Sequence, residues 1–449
     1  MRSIIASLIA ALCAFTGPSL LAQTVCPPTF DQNYQFTSAD SQTARIELVG
    51  VGSSHTTWSW PAFLQIADSG LLWVAVHGKP DSSLTIRLSS SDIVSEQTFP
   101  PGSAGLRALN VSSFTKLAAG ALVHIAVTNG KVGCATATLS LFGNHLGARK
   151  NVLVLAPHPD DAEIAAFGFY AGHNSTVVTV TAGNAGDFNY CQTAPDRATH
   201  YRLKGELRVI DSITVPWQGG VPVSRAFNLG YFDGTMHTMR DNPQMPVKEL
   251  FVDNDDVLPY RRFNQTALLR IASRKATWNN LVADLRSVLM RVRPVVVVTP
   301  DPRSDSHLDH QLTTVALAQA LDKTSLRLKI LLYTNHAGGD QHPMGTTGQD
   351  VTLPPWCGSK ALSAAAFYAH PLTAEVQRRK LMALESMHDL RLAPSAQYEF
   401  GPNGDTRCQT HPGAVLGPSS YFRRAVRSHE LFLVTDRVGL QAIVRKGWP

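Results

Sequence analysis

The sequence has no dense run of lysine or arginine. Its 40 basic residues outnumber 34 acidic ones for a net charge of +6, a mild excess without the basic stripe that tracks a phosphate backbone. No nucleic-acid partner is therefore expected. Beyond the N-terminus there is no long apolar stretch, so the rest of the chain is not expected to span a membrane. None of the six cysteines stands in a Cys-x-x-Cys pair, which argues against a structural zinc knot. Neither a Gly-x-Ser-x-Gly elbow nor a Gly-x-x-x-x-Gly-Lys-Ser/Thr loop occurs, so serine hydrolysis and nucleotide hydrolysis have no motif behind them.

What the N-terminus does contain is ordered. Arg2 precedes the apolar stretch Ile4 to Phe15, Gly17-Pro18 breaks it, and Ser19-Leu20-Leu21-Ala22 ends on a small residue. That order predicts a secretory signal over residues 1–22, cleaved after Ala22, and a secreted or periplasmic product with no stable membrane span. An uncleaved anchor is the alternative, but the break at Thr16-Gly17-Pro18 leaves the run short of a span. With Cys13 removed, Cys26, Cys134, Cys191, Cys357 and Cys408 remain. Two disulfides are expected, Cys26 with Cys134 and Cys357 with Cys408, leaving Cys191 as the odd thiol.

Residues 23–146 read as strands. Leu71 to Val76, Leu84 to Leu88, Leu122 to Val127 and Ala135 to Leu141 are short β-prone runs separated by Gly, Ser, Asp and Pro. From residue 147 to 449 the texture changes. Asn151 to Leu155, Val177 to Val180 and Val295 to Val298 are continuous apolar runs of the kind a doubly buried strand needs. Helices are expected near Ala198 to Ile213 and through Leu281, Leu285, Val288, Leu289 and Val292, the latter stopped by Pro294. Alternating strands and helices predict an α/β fold: a mostly parallel, Rossmann-like sheet with helices on both faces, preceded by a small all-β sandwich domain. The polar stretch from Met236 to Thr277 reads as a long insertion or lid.

Two clusters fall at expected strand ends, where open α/β sheets build their sites. The first is His158-Pro159-Asp160-Asp161-Ala162-Glu163; the second, further on, includes Asp301, Asp305 and His307-Leu308-Asp309-His310. Alone, the first could be an acidic helix cap, and the second a surface His-x-x-His. Together they supply one His, one carboxylate and another His, the set a catalytic zinc takes while keeping a position open. His200, His237, His336, His342 and His370 are scattered and read as structural or surface residues.

The paired motifs resemble the PIG-L/LmbE-like family of zinc-dependent N-deacetylases, over residues from about 150 towards the C-terminus. Further matching stretches are Thr181 to Gly186, the helix carrying Arg202 and Glu206, Asn228 to Gly234, and Glu430-Leu431-Phe432. The resemblance implies Zn2+ held by His158, Asp161 and His310, with Asp160 as general base. It also implies that His307 assists the intermediate or the leaving amine, and that Asp309 orients a neighbouring imidazole. Asn184, Asp187 and Arg202 are the implied substrate contacts, although Arg202 could instead form an i, i+4 pair with Glu206. Two positions depart from the family pattern: Asn184 stands where Glu is frequent, and Ala162 follows the paired Asp where Glu is frequent. The implied activity is removal of an N-acetyl group from an N-acetylglucosamine-type sugar in an extracytoplasmic glycan or glycoconjugate. The alternatives are a zinc amidase on another N-acyl substrate, or an inactive glycan-binding protein on the same fold.

Overall fold

The computed structural model describes residues 25–445, apart from 53–55, 63–66, 148, 187–189, 191–192, 270–272, 338–341, 392–397, 401–405 and 409–419. The expected signal segment, Asp187 and Cys191 lie outside the described residues.

Among the described residues, ten strands precede residue 143: β1 (Tyr34–Phe36), β2 (Ser41–Glu47), β3 (Thr56–Ser59), β4 (Ser69–Gly78), β5 (Leu84–Ser90), β6 (Ile93–Phe99), β7 (Ala104–Asn110), β8 (Leu122–Thr128), β9 (Gly130–Val132) and β10 (Thr136–Phe142). β2, β10, β4 and β7 form one sheet, with β9 on β4, and β3, β8, β5 and β6 form another. All pairings within these two sheets are antiparallel. Period-two patterning explains their inner faces: Leu84, Ile86 and Leu88 of β5 are buried while Arg87 is exposed. These residues share one apolar core with Trp58, Val74, Leu109, Ile125 and Leu139.

The remaining elements are β11 (Asn151–Ala156), α1 (Asp161–Ala171), β12 (Asn174–Thr181), α2 (Arg197–Thr214), β13 (Ala226–Tyr231), α3 (Met236–Asp241), α4 (Leu258–Arg261), α5 (Trp278–Val292), β14 (Val296–Pro300), α6 (Leu308–Asp322) and β15 (Lys329–Tyr333). They are followed by β16 (Leu362–Ala364), β17 (Ala366–Pro371), α7 (Ala374–Glu385), α8 (His388–Arg391), β18 (Tyr398–Phe400), β19 (Thr406–Cys408), α9 (Tyr421–Arg424), β20 (His429–Asp436) and α10 (Arg437–Arg445). Seven strands make the central sheet in the order β13-β12-β11-β14-β15-β20-β17. The first five run parallel, but β20 lies antiparallel to both β15 and β17. The sheet is thus mixed, and the fold is mixed α/β. β11 and β14 are buried along almost their whole length, which is why they read as unbroken apolar runs. α5 starts on Thr277, whose side chain accepts the Asn280 N–H, and ends where Arg293 turns left-handed at φ 47° ahead of Pro294.

The N-terminal strands are fastened to residues 350–364. β1 pairs in parallel with β16, Gln32 Nε2 donates to Leu353 O, and the Tyr34 hydroxyl donates to Pro354 O. This register brings Cys26 beside Cys357, and the two form a disulfide across 331 residues of sequence. The expected Cys26–Cys134 and Cys357–Cys408 pairs are therefore not formed; Cys134 is an exposed free thiol.

α1 is kinked at Ala166 (φ −143°). A kink releases backbone groups that must find other partners. Glu430 accepts the Gly168 and Phe169 N–H groups, and Lys380 Nζ donates to both Ile164 O and Glu430, at 2.8 Å each. Lys380 and Glu430 are 1% and 3% exposed, so removing one partner strands a buried charge. Glu430→Ala is expected to cost about 3–5 kcal/mol, read as a lower urea midpoint, whereas Arg378→Ala in the exposed Arg378–Glu375 pair should scarcely move it. Non-reducing peptide mapping is expected to recover Cys26 joined to Cys357, with Cys134 alkylatable.

Candidate metal centre

β11 delivers Pro157 and His158 at its carboxyl end, and α1 begins at Asp161. β14 leads into residues 301–307, and α6 begins at Leu308 with His307 as its cap. β13 ends just before Asp233, and β15 just before Asn335 and His336. Four parallel strands thus place polar side chains over one edge of the sheet, as expected of this topology.

At the centre, His158 Nδ1, Asp161 Oδ2 and His310 Nε2 form a nearly equilateral triangle. The separations are 3.3 Å from His158 to Asp161, 3.1 Å from His310 to Asp161, and 3.2 Å between the imidazoles. Ligand atoms about 2.0–2.2 Å from a tetrahedral ion lie roughly 3.3–3.5 Å apart, so the spacing suits a shared cation. Among the described residues, three overlapping groups of His and Asp side chains are close enough to hold a metal: His158/His307/His310, Asp161/His310/His336 and His158/Asp233/Asp309. The ring of His336, read from the sequence as structural or surface, is in fact 4.8 Å from that of His310.

The electrostatics fit the same reading. Burial works against charge on His310, yet the carboxylates of Asp161 and Asp305 hold its imidazolium up to about 10. His158 is likewise raised despite burial, chiefly by Asp233. Burial would lift Asp161, but the His310 and His158 rings hold it well below the usual carboxylate range. The protons that these carboxylates stabilise on the imidazoles are those a divalent cation displaces on binding. His158 Nε2 is buried with no hydrogen-bond partner among the described residues, although Asp233 Oδ1 lies 3.1 Å away and Asp309 Oδ2 3.5 Å.

Each candidate ligand is braced. Asp161 Oδ2 accepts the His158 N–H at 2.9 Å, and its Oδ1 accepts Asn335 Nδ2 at 2.7 Å. Asp305 Oδ2 lies 3.0 Å from His310 Nδ1 and accepts the Asn335 and His336 N–H groups, which turns His310 Nε2 towards Asp161. Asp309, expected to orient a neighbouring imidazole, accepts the Gly234 N–H at 2.7 Å through Oδ2, which also lies 3.5 Å from His158 Nε2, and its own N–H donates to His307 Nδ1.

Asp160 stands at the start of α1 with φ 120°, a strained conformation for a residue with a Cβ. Its Oδ2 accepts Arg208 Nη2 at 3.0 Å, and Arg208 also donates to Pro159 O and Gly183 O. Burial pushes the Asp160 carboxyl up to about 7, with Arg208 opposing and Asp161 reinforcing the rise. The His307 Nδ1 accepts the Asp309 N–H at 3.3 Å, which leaves Nε2 to carry the proton of the neutral ring. Burial and the neighbouring His158 and His310 press its pKa down to about 4.

Around this centre, Asn184 and Arg202 converge on Glu249 from the long insertion. Asn184 Nδ2 donates to Glu249 Oε1 at 2.8 Å while its Oδ1 accepts the Asp233 N–H at 3.0 Å. Arg202 pairs with Glu249 at 2.7 Å, and Glu206 pairs with Arg262, so the i, i+4 pair is not formed. Glu249 also accepts the Tyr260 hydroxyl. Glu249 and Asn335 were not assigned from the sequence because their partners lie on distant elements, although the strand end after Leu332 was a place to look; Asp305 fell inside the second cluster but carried no assigned role.

Because Asp305 holds His310 rather than touching the triangle, Asp305→Asn is expected to weaken metal binding about 10–100-fold. Competition with a calibrated chelator measures this, and unchanged affinity would contradict the orienting role.

Residues 153–321 match the family model described as PIG-L, GlcNAc-PI de-N-acetylase. No curated protein sequence matches the chain. Among solved structures, it is similar to the 4-carboxy-2-hydroxymuconate hydratase GalB of Pseudomonas putida, at 13% identity over 53% of this chain and 78% of that one, TM-score 0.31. It is also similar to the conserved protein TT1542 of Thermus thermophilus, at 17% identity over 61% of this chain and 99% of that one, TM-score 0.27. Likenesses at these TM-scores say nothing of function. The family assignment comes from the sequence match, which spans the two strand ends that carry His158, Asp161 and His310: residues 153–321 are a PIG-L domain.

Proposed function

We propose that this chain is a zinc-dependent hydrolase that removes an acetyl group from an N-acetylglucosamine-type sugar in an extracytoplasmic glycan or glycoconjugate. The observation that carries the reading is the triangle of His158 Nδ1, Asp161 Oδ2 and His310 Nε2 beside an unligated carboxylate, Asp160. The activity for which the matching family is named, GlcNAc-PI de-N-acetylation, supports the amide and the sugar. The Cys26–Cys357 disulfide supports an oxidising compartment and so the export expected of residues 1–22.

His158, Asp161 and His310 would hold the ion, two imidazoles and one carboxylate being a set that zinc takes in catalytic sites. When bound, zinc lowers the pKa of water and polarises an acyl oxygen. Asp160 takes the proton from the attacking water, its carboxylate held in place by Arg208 through Oδ2. The neutral His307 presents Nε2–H as a hydrogen-bond donor to the tetrahedral intermediate, the tautomer being set by the Asp309 N–H on Nδ1, and the proton that Asp160 takes from the water passes to the departing amine nitrogen. Asn184 is engaged at both ends by Glu249 and Asp233, so in this reading it shapes the acceptor pocket by positioning Asp233, and Arg202 lines the same wall.

Asp160→Asn is expected to keep its metal while acetate release from N-acetylated glucosamine conjugates falls by about 10^2–10^4. Full activity in that variant would refute the base assignment. Faster release from acyl-amino acids than from any amino sugar would favour the alternative zinc amidase.

A further inference from the structure

The tip of the insertion carries exposed apolar side chains beside the metal centre. The Glu249 N–H donates to Asn254 O and the Val252 N–H to Glu249 O, so residues 249–254 close on themselves. Leu250 and Phe251 stand at the two central positions of the Glu249–Val252 turn and are 37% and 49% exposed. Glu249 anchors the turn from below, buried on Asn184, Arg202 and Tyr260. Leu250 Cδ1 lies 3.4 Å from where a Cβ on Gly234 would stand, and it is the Gly234 N–H that Asp309 accepts. The turn is therefore part of the rim of the metal centre.

Phe251 has φ 62°. A positive φ at the second central position of a turn ordinarily belongs to glycine or asparagine, because a Cβ is disfavoured there. Such a conformation persists only where the surroundings enforce it, and it gathers where ligands are held. Here the Phe251 ring stacks on that of Tyr201, with centroids 4.6 Å apart and planes at 19°. Arg197 Cζ lies 5.2 Å from the same centroid. Arg197 and Tyr201 are one turn apart on α2, so both approach Phe251 from the helix. Tyr201 is 2% exposed and its hydroxyl donates to Gly186 O. The stack thus rests on a fixed, buried ring, while the side of Phe251 away from the helix stays in water. Packing alone gives no reason to hold a half-exposed aromatic ring at a glycine position.

The face of an aromatic ring is negative and attracts polarised C–H groups. A pyranose presents such C–H groups on one face, over about the breadth of one aromatic ring, with hydroxyls at its edge. The surroundings of Phe251 suit that shape: Arg197 brings N–H donors to the ring, and the Lys248–Asp253 and Arg274–Asp256 ion pairs flank the turn. A lipid surface would instead call for a broad apolar face. We propose that Phe251 is a stacking platform for the sugar ring next to the one that is deacetylated, so that a chain of sugars is taken better than a single N-acetylated ring. Placing the neighbouring ring in this way rests on the deacetylase reading above, whereas the stacking of a sugar on Phe251 does not.

The test compares full-length, metal-loaded wild type with Phe251→Gly and Phe251→Tyr. The substrates are the methyl glycoside of N-acetylglucosamine and its β-1,4-linked tetramer. Glycine adopts this φ without strain, so Phe251→Gly keeps the turn. The ratio of kcat/KM for the tetramer to that for the single ring is expected to fall about five- to tenfold in Phe251→Gly, and to survive in Phe251→Tyr, which keeps an aromatic face. An unchanged ratio in Phe251→Gly overturns the proposal. That includes an equal loss on both substrates, which would make Phe251 a support for Glu249 and nothing more. Should wild type release no acetate from either substrate, the deacetylase reading fails and the platform is read by saturation-transfer NMR with the tetramer. Transfer from aromatic protons that is lost in Phe251→Gly supports the platform; no transfer in wild type, or equal transfer in the variant, overturns it.

Discussion

The carboxylate of Asp161 is the pivot of this molecule. One oxygen sits 3.3 Å from His158 Nδ1 and 3.1 Å from His310 Nε2, on side chains brought from two neighbouring parallel strands. The other is held by Asn335 from a third strand end. Three loops therefore meet on one buried carboxylate, and in a low-dielectric site that arrangement is stable only with positive charge between the ligands. Protons on the imidazoles supply it in the absence of a cation; a divalent ion supplies it better and fixes the loops further.

Much of the surrounding structure serves to keep that pivot in place. Asp305 orients His310, and Arg208 ties Asp160 to Pro159 and Gly183. Glu249 reaches from the insertion to Asn184, which holds the Asp233 backbone beside His158. On the far side of α1, Lys380 and Glu430 satisfy the groups that its kink releases. The N-terminal strands contribute no ligand to the three metal-compatible groups, but they anchor residues 350–364 through β1–β16 pairing and the Cys26–Cys357 disulfide.

The buried strands and the main helices were legible because their signals are local. Val152 to Leu155 and Val296 to Val298 are apolar on both faces, and the α5 stripe repeats every three to four residues. His158, Asp160 and Asp161 were legible for the same reason, being contiguous, and His307 with His310 because one helical turn joins them. Glu249 and Asn335 were not, since each acts on a residue more than 60 positions away. His336 gave no sign of itself because nothing in its neighbourhood repeats a ligand spacing. Cysteine pairing was misjudged because it follows the parallel register of β1 on β16, which no spacing encodes. The antiparallel β20 returns to the sheet after β17 and α7, so a strand-helix alternation read forward along the chain overstates how parallel the sheet is.

Diffraction data collected at the zinc absorption edge from crystals of the metal-loaded protein test the central claim most directly. One anomalous peak is expected within about 2.0–2.2 Å of His158 Nδ1, Asp161 Oδ2 and His310 Nε2. A peak on the opposite side of His158, between Nε2, Asp233 and Asp309, or no peak in protein that still releases acetate, would contradict it.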